Sequence, residues 1–226
     1  MSYTGVMAST SPTGTARQVN RLILTATFWF SAMGLLALLI LILAPILSPV
    51  AERNGTAGIL YGVTLLLCSL CSYLYNMRED SPRRWLLRYL DHSAIFLLIA
   101  GTYTPFVMHG VPGPFGLSFL AWIWGLALFG IALKLLLRGR HDRVFVGLYL
   151  VLGWLFLYAV EPFIALNPLA SLIFLTIGGL AYTIGAIIYG RDIGNWTDPV
   201  WHGCVLTGSG THFVAVVILI VQPTII

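Results

Sequence analysis

Five polar residues interrupt otherwise hydrophobic segments of the sequence at spacings that allow them to act together. Asp198 and His202 are four residues apart, as are Ser72 and Asn76, and such pairs share one face of a helix. Asp91 precedes a long apolar run. Imidazole and carboxylate groups bind metal ions and act as general acids and bases. These residue types therefore predict a site that binds a metal ion or activates water.

Each of these residues also has a purely structural interpretation. Asp91 and Asp198 are suited to cap helix N-termini, where a carboxylate meets the helix dipole favourably. Pro199 fits the first helical position after such a cap. Ser72 has the alternative of a hydrogen bond to its own helix backbone. His202 is predicted to lie inside a helix, and it is the residue that most favours a site over a structural role.

The composition of the chain places these residues in a membrane. Of 226 residues, 58% are hydrophobic and 9% are charged, with a mean hydropathy of +0.91. A soluble domain carries roughly a quarter charged residues. A helix needs about 20 predominantly apolar residues to cross a bilayer. We therefore predict an all-α membrane protein, a seven-transmembrane helix bundle, with spans at 22–47, 57–76, 91–109, 115–137, 144–163, 169–190 and 200–222.

The charged residues predict how the chain is divided and oriented. Residues 1–20, rich in Ser and Thr, are predicted to form a disordered cytoplasmic tail, and residues 21–226 a single membrane domain. The basic residues lie in short clusters between apolar runs, without the extended basic face that nucleic-acid binding needs. With the N-terminus inside, every Lys and Arg except Arg53 falls on the inner side. The positive-inside rule thus predicts a cell-membrane protein with its N-terminus cytoplasmic and its C-terminus outside.

This orientation brings the five polar residues to one depth in the membrane. The second predicted span ends at the cytoplasmic side, and the third and seventh spans begin there. Ser72, Asn76, Asp91, Asp198 and His202 are therefore expected near the cytoplasmic ends of three helices. Ionisable groups at membrane depth are costly, so they mark functional sites by default.

His212 is predicted to have a different role from His202. Ten residues separate the two, which is about 15 Å along a helix axis, so they cannot bind one ion. Small residues at 208–210 indicate close contact between helices. We expect His212 to be buried and bonded to a neighbouring helix.

Four segments of the chain resemble the motifs of a known family. LDHSAIFLLIAGTYTPF at 90–106 resembles the third-helix signature of the hemolysin III family, the bacterial branch of the progestin and adiponectin receptor (PAQR) family. SYLYN at 72–76 resembles the second-helix motif S-x-x-x-H of that family. GGLAYTIG at 178–185 and WHGCVLTGSGTHF at 201–213 resemble its sixth and seventh helices. The similarity extends over nearly all of the chain beyond the N-terminal tail.

The resemblance implies a seven-helix bundle with a zinc ion near the cytoplasmic ends of the helices. In the family pattern, the metal ligands are the His of S-x-x-x-H and two histidines of H-x-x-x-H in the seventh helix. Those positions are Asn76, Asp198 and His202 in this sequence, so two of the three expected histidines are replaced. The resemblance assigns to Asp91 and Ser72 a role in holding water or orienting the metal ligands.

The two replacements leave two interpretations of the site open. One is a metal site for Zn²⁺ or another divalent ion with His202, Asp198 and Asn76 as ligands, in which Asp91 can supply a second carboxylate. An amide oxygen is a weak zinc ligand and suits harder cations better. The other is a hydrogen-bonded polar network that binds no metal.

Three functions follow from these interpretations. The first is a membrane protein with a modified polar site that acts in membrane-lipid homeostasis or sensing, with membrane lipids as partners. The alternative is a metal-dependent hydrolase of a lipid amide or ester, suggested by the alkaline ceramidases of the wider superfamily, in which Asp91 and Ser72 assist an attacking water. A cytolytic pore, suggested by the family name, is a further alternative, but few polar residues are available to line it.

Overall fold

The computed structural model describes residues 14–47, 49–78, 80–111, 113–137 and 141–221, and within these ranges every regular element is a helix. Seven segments are long and apolar enough to cross a membrane. This confirms the predicted all-α bundle of seven spans. The helices are α1 (Gly14–Leu47), α2 (Pro49–Met77), α3 (Arg84–Gly110), α4 (Gly113–Leu136), α5 (Asp142–Gly153), α6 (Val160–Leu166), α7 (Leu169–Arg191) and α8 (Thr197–Val221), with short 3₁₀ helices at Leu155–Ala159 and Gly194–Trp196.

The helix boundaries differ from the predicted ones at two places near the N-terminus. Helix α1 begins at Gly14, inside the segment that was predicted to be a tail, and residues 1–13 lie outside the described residues. Helix α2 begins at Pro49, because proline fits the first turn of a helix, where its missing N–H costs no hydrogen bond. The predicted loop between the first two spans is therefore largely helical.

Helix α3 lies at the centre of the bundle. In its most apolar 18-residue stretch, 72% of the residues are buried, compared with 22% for α7 and 28% for α4. It packs against α2, α4, α5, α6 and α8. Polar groups carried by α3 are therefore enclosed by protein, whereas the outward faces of the peripheral helices are apolar, as a lipid-facing surface requires.

The fifth span is not one continuous helix. Helix α5 ends at Gly153, and after the 3₁₀ turn helix α6 completes the crossing. The hydroxyl of Tyr103, on α3, accepts a hydrogen bond from the backbone N–H of Phe156 at 2.9 Å. The same hydroxyl lies 3.0 Å from the carbonyl oxygen of Leu152 and 2.9 Å from that of Gly153, to one of which it donates. A single side chain thus satisfies backbone groups that the break would leave without partners in an apolar environment.

Helices α7 and α8 form a closely packed antiparallel pair. His212 of α8 lies with Nε2 at 3.0 Å from the carbonyl oxygen of Leu175 on α7. This confirms the expectation that His212 is bonded to a neighbouring helix. The hydroxyls of Tyr182 and Ser209 form a second polar contact between the two helices. These bonds fix the relative rotation of α7 and α8, and with it the direction in which α8 presents His202.

Candidate functional site

A large apolar cavity lies between α3, the α5–α6 span, α7 and the first half of α8. Its volume is about 480 Å³, and its walls are almost entirely hydrophobic. Ile99 and Phe106 line it on α3, Leu172 lines it on α7, and Val205 lines it on α8. A cavity of this size and apolar character falls within the range of small-molecule binding sites, which is about 300–1,000 Å³.

A small polar pocket adjoins this cavity at the end of the bundle where α3 and α8 begin. Its volume is about 50 Å³, and Ser72, Asp91, His92, Asp142 and His202 line it. The two spaces lie next to each other, because six residues line both: Cys68, Ile95, Val146, Tyr149, Trp201 and Val205. A small polar space and a large apolar space are thus separated by no more than these shared side chains.

Three of the five polar residues that the sequence singled out meet in this pocket. Ser72 of α2, Asp91 of α3 and His202 of α8 all line it, and the Ser72 hydroxyl interacts with the Asp91 carboxyl group. Ser72 and Asp91 are both buried. Three helices that are far apart in the sequence therefore contribute one hydroxyl, one carboxyl and one imidazole to a common space.

Asn76 and Asp198 lie apart from that pocket. The Asn76 side-chain amide donates a hydrogen bond to the backbone carbonyl of Ser72 at 2.8 Å, and Asn76 lines a separate depression beside Arg78. Asp198 is exposed and lines another depression, beside Asp192 and Thr197. Although Asp198 and Asn76 are each four residues from a residue of the pocket, neither of them reaches it.

The position of Asp91 excludes its interpretation as a helix cap. Helix α3 begins at Arg84, two turns before Asp91, and its N-cap residue is Arg83. Asp91 was predicted to open the third helix, and the structure instead places it in the helix interior. A buried carboxyl group in a helix interior has no capping role to explain it. Asp91 is therefore part of the polar pocket rather than of a helix terminus.

The positions of the predicted ligands show whether they can bind the metal ion that the family pattern implies. Within the described ranges, no three His, Cys, Asp or Glu side chains are grouped closely enough to hold a metal ion. Of the three predicted ligands, only His202 lines the polar pocket, while Asn76 and Asp198 line two different depressions. In this arrangement the residues do not form a ligand set, and metal binding by these three residues stays a prediction.

A cluster of charges beside the pocket was missed by the sequence reasoning. The Asp142 carboxylate, at the start of α5, lies 2.9 Å from Nζ of Lys134 and 3.3 Å from Nδ1 of His92. Its second oxygen forms an ion pair with Arg88. The side chain of Lys134 is fully buried and lies over the ring of Phe145, 4.4 Å from its centroid. These contacts join α3, α4 and α5 at one level.

One signal in the sequence does indicate this cluster. Lys134 is the only lysine in the chain, and it falls inside the fourth apolar window. Basic side chains within a span are rare and usually pair with an acidic partner. The cluster was not predicted, because Lys134 was interpreted as one of the loop charges that set topology. Its acidic partner, Asp142, was likewise assigned to the loop that follows the fourth span.

Several residues that line the apolar cavity on α6 and α7 are also well exposed. Ile164, Leu169, Ile173 and Ile177 line the cavity and are each 45–72% exposed, which indicates an opening between α6 and α7. At the depth of a membrane span, such an opening faces lipid chains. A molecule in the cavity is therefore in contact with the hydrocarbon of the bilayer.

The fold and the site together define a multi-pass membrane protein with a buried polar pocket at the end of an apolar cavity. Comparison with known sequences names the family. A family model described as "Haemolysin-III related" matches residues 18–213. The chain therefore belongs to the haemolysin III family, as its helix motifs predicted.

Several curated relatives share most of their length with this chain. It is 37% identical over 163 residues to the hemolysin-3 homolog of Bacillus subtilis (strain 168), covering 72% of this chain and 76% of that protein. It is 36% identical over 179 residues to hemolysin-3 of Bacillus cereus, covering 77% and 81%. A more distant similarity, 27% over 127 residues, links it to the human monocyte to macrophage differentiation factor and covers 56% and 52% of the two chains.

Proposed function

We propose that this haemolysin III family protein binds a single-chain amphiphile of the membrane and acts in membrane-lipid homeostasis or sensing. The polar head of the amphiphile occupies the pocket of Ser72, Asp91 and His202, and its chain occupies the apolar cavity. The observation that carries the proposal is that a 50 Å³ polar pocket lies directly beside a 480 Å³ apolar cavity, with six lining residues in common. This shape and polarity match a molecule with a small head and one long tail.

The volumes restrict the kind of lipid. A polar pocket of about 50 Å³ has room for one or two groups the size of water, each of which occupies about 30 Å³ in the liquid. A phosphodiester head with its substituent is several times larger. Along α3 the apolar cavity extends from Ile95 to Phe106, which is about 16 Å at 1.5 Å per residue. One extended acyl or alkyl chain fits this length.

The sideways opening between α6 and α7 provides a route for such a ligand. An amphiphile already dissolved in the bilayer can enter through the gap beside Ile173 without crossing water. Its chain exchanges one apolar environment for another, so the hydrophobic effect supplies little binding energy. Affinity must then come from van der Waals packing in the cavity and from polar contacts in the pocket.

The test compares two tryptophan substitutions on the same helix. Ile99→Trp places a large ring in the cavity, whereas Leu97→Trp adds the same ring at a position that does not line the cavity. Both variants and the parent protein are reconstituted in lipid nanodiscs, and their thermal unfolding is measured with octyl, dodecyl and hexadecyl alcohols. A ligand that binds only the folded state raises the unfolding midpoint.

We expect hexadecyl alcohol to stabilise the parent and the Leu97→Trp variant, and Ile99→Trp to lose this stabilisation. A stabilisation that persists unchanged in Ile99→Trp would show that the alcohol binds elsewhere. Absence of stabilisation by all three alcohols in the parent protein would count against the proposed ligand class.

Hydrolysis of a lipid amide or ester is a second candidate function, and the content of the polar pocket favours it. Asp91 and His202 are proton acceptors that line a space large enough for a water molecule, and Ser72 interacts with Asp91. If the protein cleaves ceramide-like amides or lipid esters, Asp91→Asn should reduce turnover at least about a hundredfold, the usual contribution of a general acid or base. Turnover that is unchanged by Asp91→Asn would exclude this role.

Elemental analysis tests whether the predicted metal ligands bind a metal ion. The parent protein and an Asn76→His/Asp198→His double variant are purified without added metal, and their zinc content is compared. If the double variant gains zinc that the parent lacks, the two replacements removed a site. Equal stoichiometric metal in both proteins would identify Asn76 and Asp198 as working ligands after rearrangement of the helix ends.

A further inference from the structure

His92 lies within the third-helix motif, but neither the motifs nor the predicted site assigns a role to its pairing with Asp142. His92 lies on α3 next to Asp91, and its side chain is 18% exposed and lines the polar pocket. Asp142 begins α5, with one carboxylate oxygen 3.3 Å from Nδ1 of His92. At this distance the carboxylate oxygen favours a proton on Nδ1, because the lone pair of that nitrogen would otherwise face a negative charge.

This contact decides which ring nitrogen of His92 can accept a hydrogen bond. In the neutral imidazole one nitrogen is a donor and the other an acceptor, and the partner of one nitrogen sets the role of the other. With the proton on Nδ1, the lone pair is on Nε2. Because Nδ1 faces Asp142 and His92 lines the polar pocket, Nε2 is the ring nitrogen that remains to accept a hydrogen bond from a bound molecule.

Both members of the pair are held in place by other groups. Lys134 lies 2.9 Å from the Asp142 carboxylate, and Arg88 pairs with its second oxygen. The Tyr149 hydroxyl donates a hydrogen bond to the backbone carbonyl of His92 at 2.9 Å. The carboxylate that faces the imidazole and the backbone that carries the ring are therefore both held in place before any ligand arrives, which lowers the entropy cost of recognition.

The charged side chains that line the polar pocket are mostly acidic. Asp91 and Asp142 both line the pocket, and of the described residues that line it none is a lysine or an arginine. Lys134 and Arg88 neutralise Asp142 from behind without reaching the pocket wall. A ligand head thus meets two carboxyl groups and the imidazoles of His92 and His202, which can accept hydrogen bonds from it. The hydroxyls of Ser72 and Tyr189 also line the pocket, and that of Ser72 already interacts with Asp91.

We propose that His92, oriented by Asp142, makes the polar pocket select heads that donate a hydrogen bond over heads of similar size that only accept one. Hydroxyl groups and amide N–H groups are the favoured heads. This inference rests on the proposed binding of a single-chain amphiphile and adds a specificity-determining residue to it. The loss of one such hydrogen bond corresponds to about a fivefold change in affinity.

The first experiment measures the proton on the ring without any ligand. The chain contains five histidines, so the full-length protein is labelled with ¹⁵N-histidine in nanodiscs, and the His92 signals are assigned by their absence in His92→Phe. We expect the Nδ1-protonated tautomer. The variant Asp142→Asn is prepared in a Lys134→Met background, so that no buried ammonium is left without a partner. An amide at position 142 can donate to Nδ1, which moves the proton to Nε2, whereas Lys134→Met alone keeps the parent tautomer.

The second experiment measures head-group selection with matched ligands. 1-Hexadecanol and hexadecyl methyl ether have the same chain and a similar oxygen, but only the alcohol donates a hydrogen bond. We expect the parent protein to bind the alcohol about fivefold more tightly than the ether, and His92→Phe to reduce this ratio substantially. The control is Ser93→Ala, which removes a buried hydroxyl without a hydrogen-bond partner from the adjacent position and should leave the ratio unchanged.

The outcomes separate this inference from the proposed function. An Nε2-protonated His92 in the parent protein overturns the inference, as does an alcohol-to-ether ratio that His92→Phe leaves unchanged. Equal binding of alcohol and ether by the parent protein overturns the inference but leaves amphiphile binding intact. If neither ligand binds, the proposed function is wrong and the inference falls with it.

Discussion

At the scale of single residues, the most informative group is the carboxylate of Asp142. It accepts contacts from Lys134, Arg88 and His92, and these come from two different helices. The Lys134 ammonium is completely enclosed, so its charge is stabilised by this carboxylate and by the ring of Phe145. Breaking a buried ion pair by removing one partner is far more costly than removing both partners together.

We therefore predict an order of stabilities for substitutions in this cluster. Asp142→Asn should be the most destabilising, by about 3–5 kcal/mol, because it leaves the buried Lys134 ammonium without an anionic partner. Lys134→Met should cost less, since Asp142 retains Arg88 and His92. The double variant should be more stable than Asp142→Asn alone. Denaturant titration in mixed micelles measures these free energies of unfolding.

The exposed pair of Arg143 and Asp192 is the matched control for this order. Its side chains are 67% and 57% exposed, and the charged atoms are 3.4 Å apart. Arg143→Met should change the free energy of unfolding by no more than about 1 kcal/mol. If Arg143→Met costs as much as Asp142→Asn, the burial of the Asp142 cluster does not explain its contribution.

At the scale of helices, the interruption of the fifth span shapes the apolar cavity. Gly153, Trp154 and Phe156 all line the cavity at the break between α5 and α6. The indole N–H of Trp154 donates to the Thr183 hydroxyl at 3.1 Å, which connects the break to α7. The Tyr103 hydroxyl satisfies the backbone on the side of α3. Polar contacts thus connect the break to both α3 and α7. The interruption also turns side chains toward the cavity that a continuous helix would direct elsewhere.

Tyr103→Phe tests whether the hydroxyl stabilises this break. The substitution keeps the ring but leaves the N–H of Phe156 without its partner, so we expect a loss of about 1–3 kcal/mol. Hydrogen exchange should become faster at Trp154 to Phe156 while remaining unchanged in the middle of α3. Tyr89→Phe, which removes a hydroxyl bond from α3 to the carbonyl oxygen of Ile131 on α4 and does not involve the fifth span, is the control. Exchange that accelerates equally in both variants would contradict a local role for Tyr103.

At the scale of the whole molecule, the distribution of charge predicts how the bundle sits in the membrane. The polar pocket lies where α3 and α8 begin, and the segments at that end of the bundle carry nearly all of the basic residues. The positive-inside rule therefore predicts that this end faces the cytoplasm. In that orientation, the polar pocket is close to cytoplasmic water, and the sideways opening lies deeper in the bilayer.

Reporter fusions test this orientation. In a bacterial inner membrane, green fluorescent protein fused to the N-terminus should be fluorescent, because it folds in the cytoplasm. Alkaline phosphatase fused to the C-terminus should be active, because its disulfides form only on the outer side. In the control the two reporters are exchanged, and we then expect neither fluorescence nor phosphatase activity. The opposite pattern would place the polar pocket on the outer side.

The sequence by itself determined the seven spans, the family and the placement of Ser72, Asp91 and His202 at one end of the bundle. Hydropathy and motif spacing are local properties, and transfer of apolar segments into lipid depends only on those segments. Only the tertiary structure decided that Asn76 and Asp198 lie outside the pocket and that His92 and Asp142 lie inside it. Depth in a membrane follows from position along a helix, but the face that meets a neighbour depends on helix rotation. That rotation is set by packing between helices, such as the contact of His212 with α7, and by the break after Gly153.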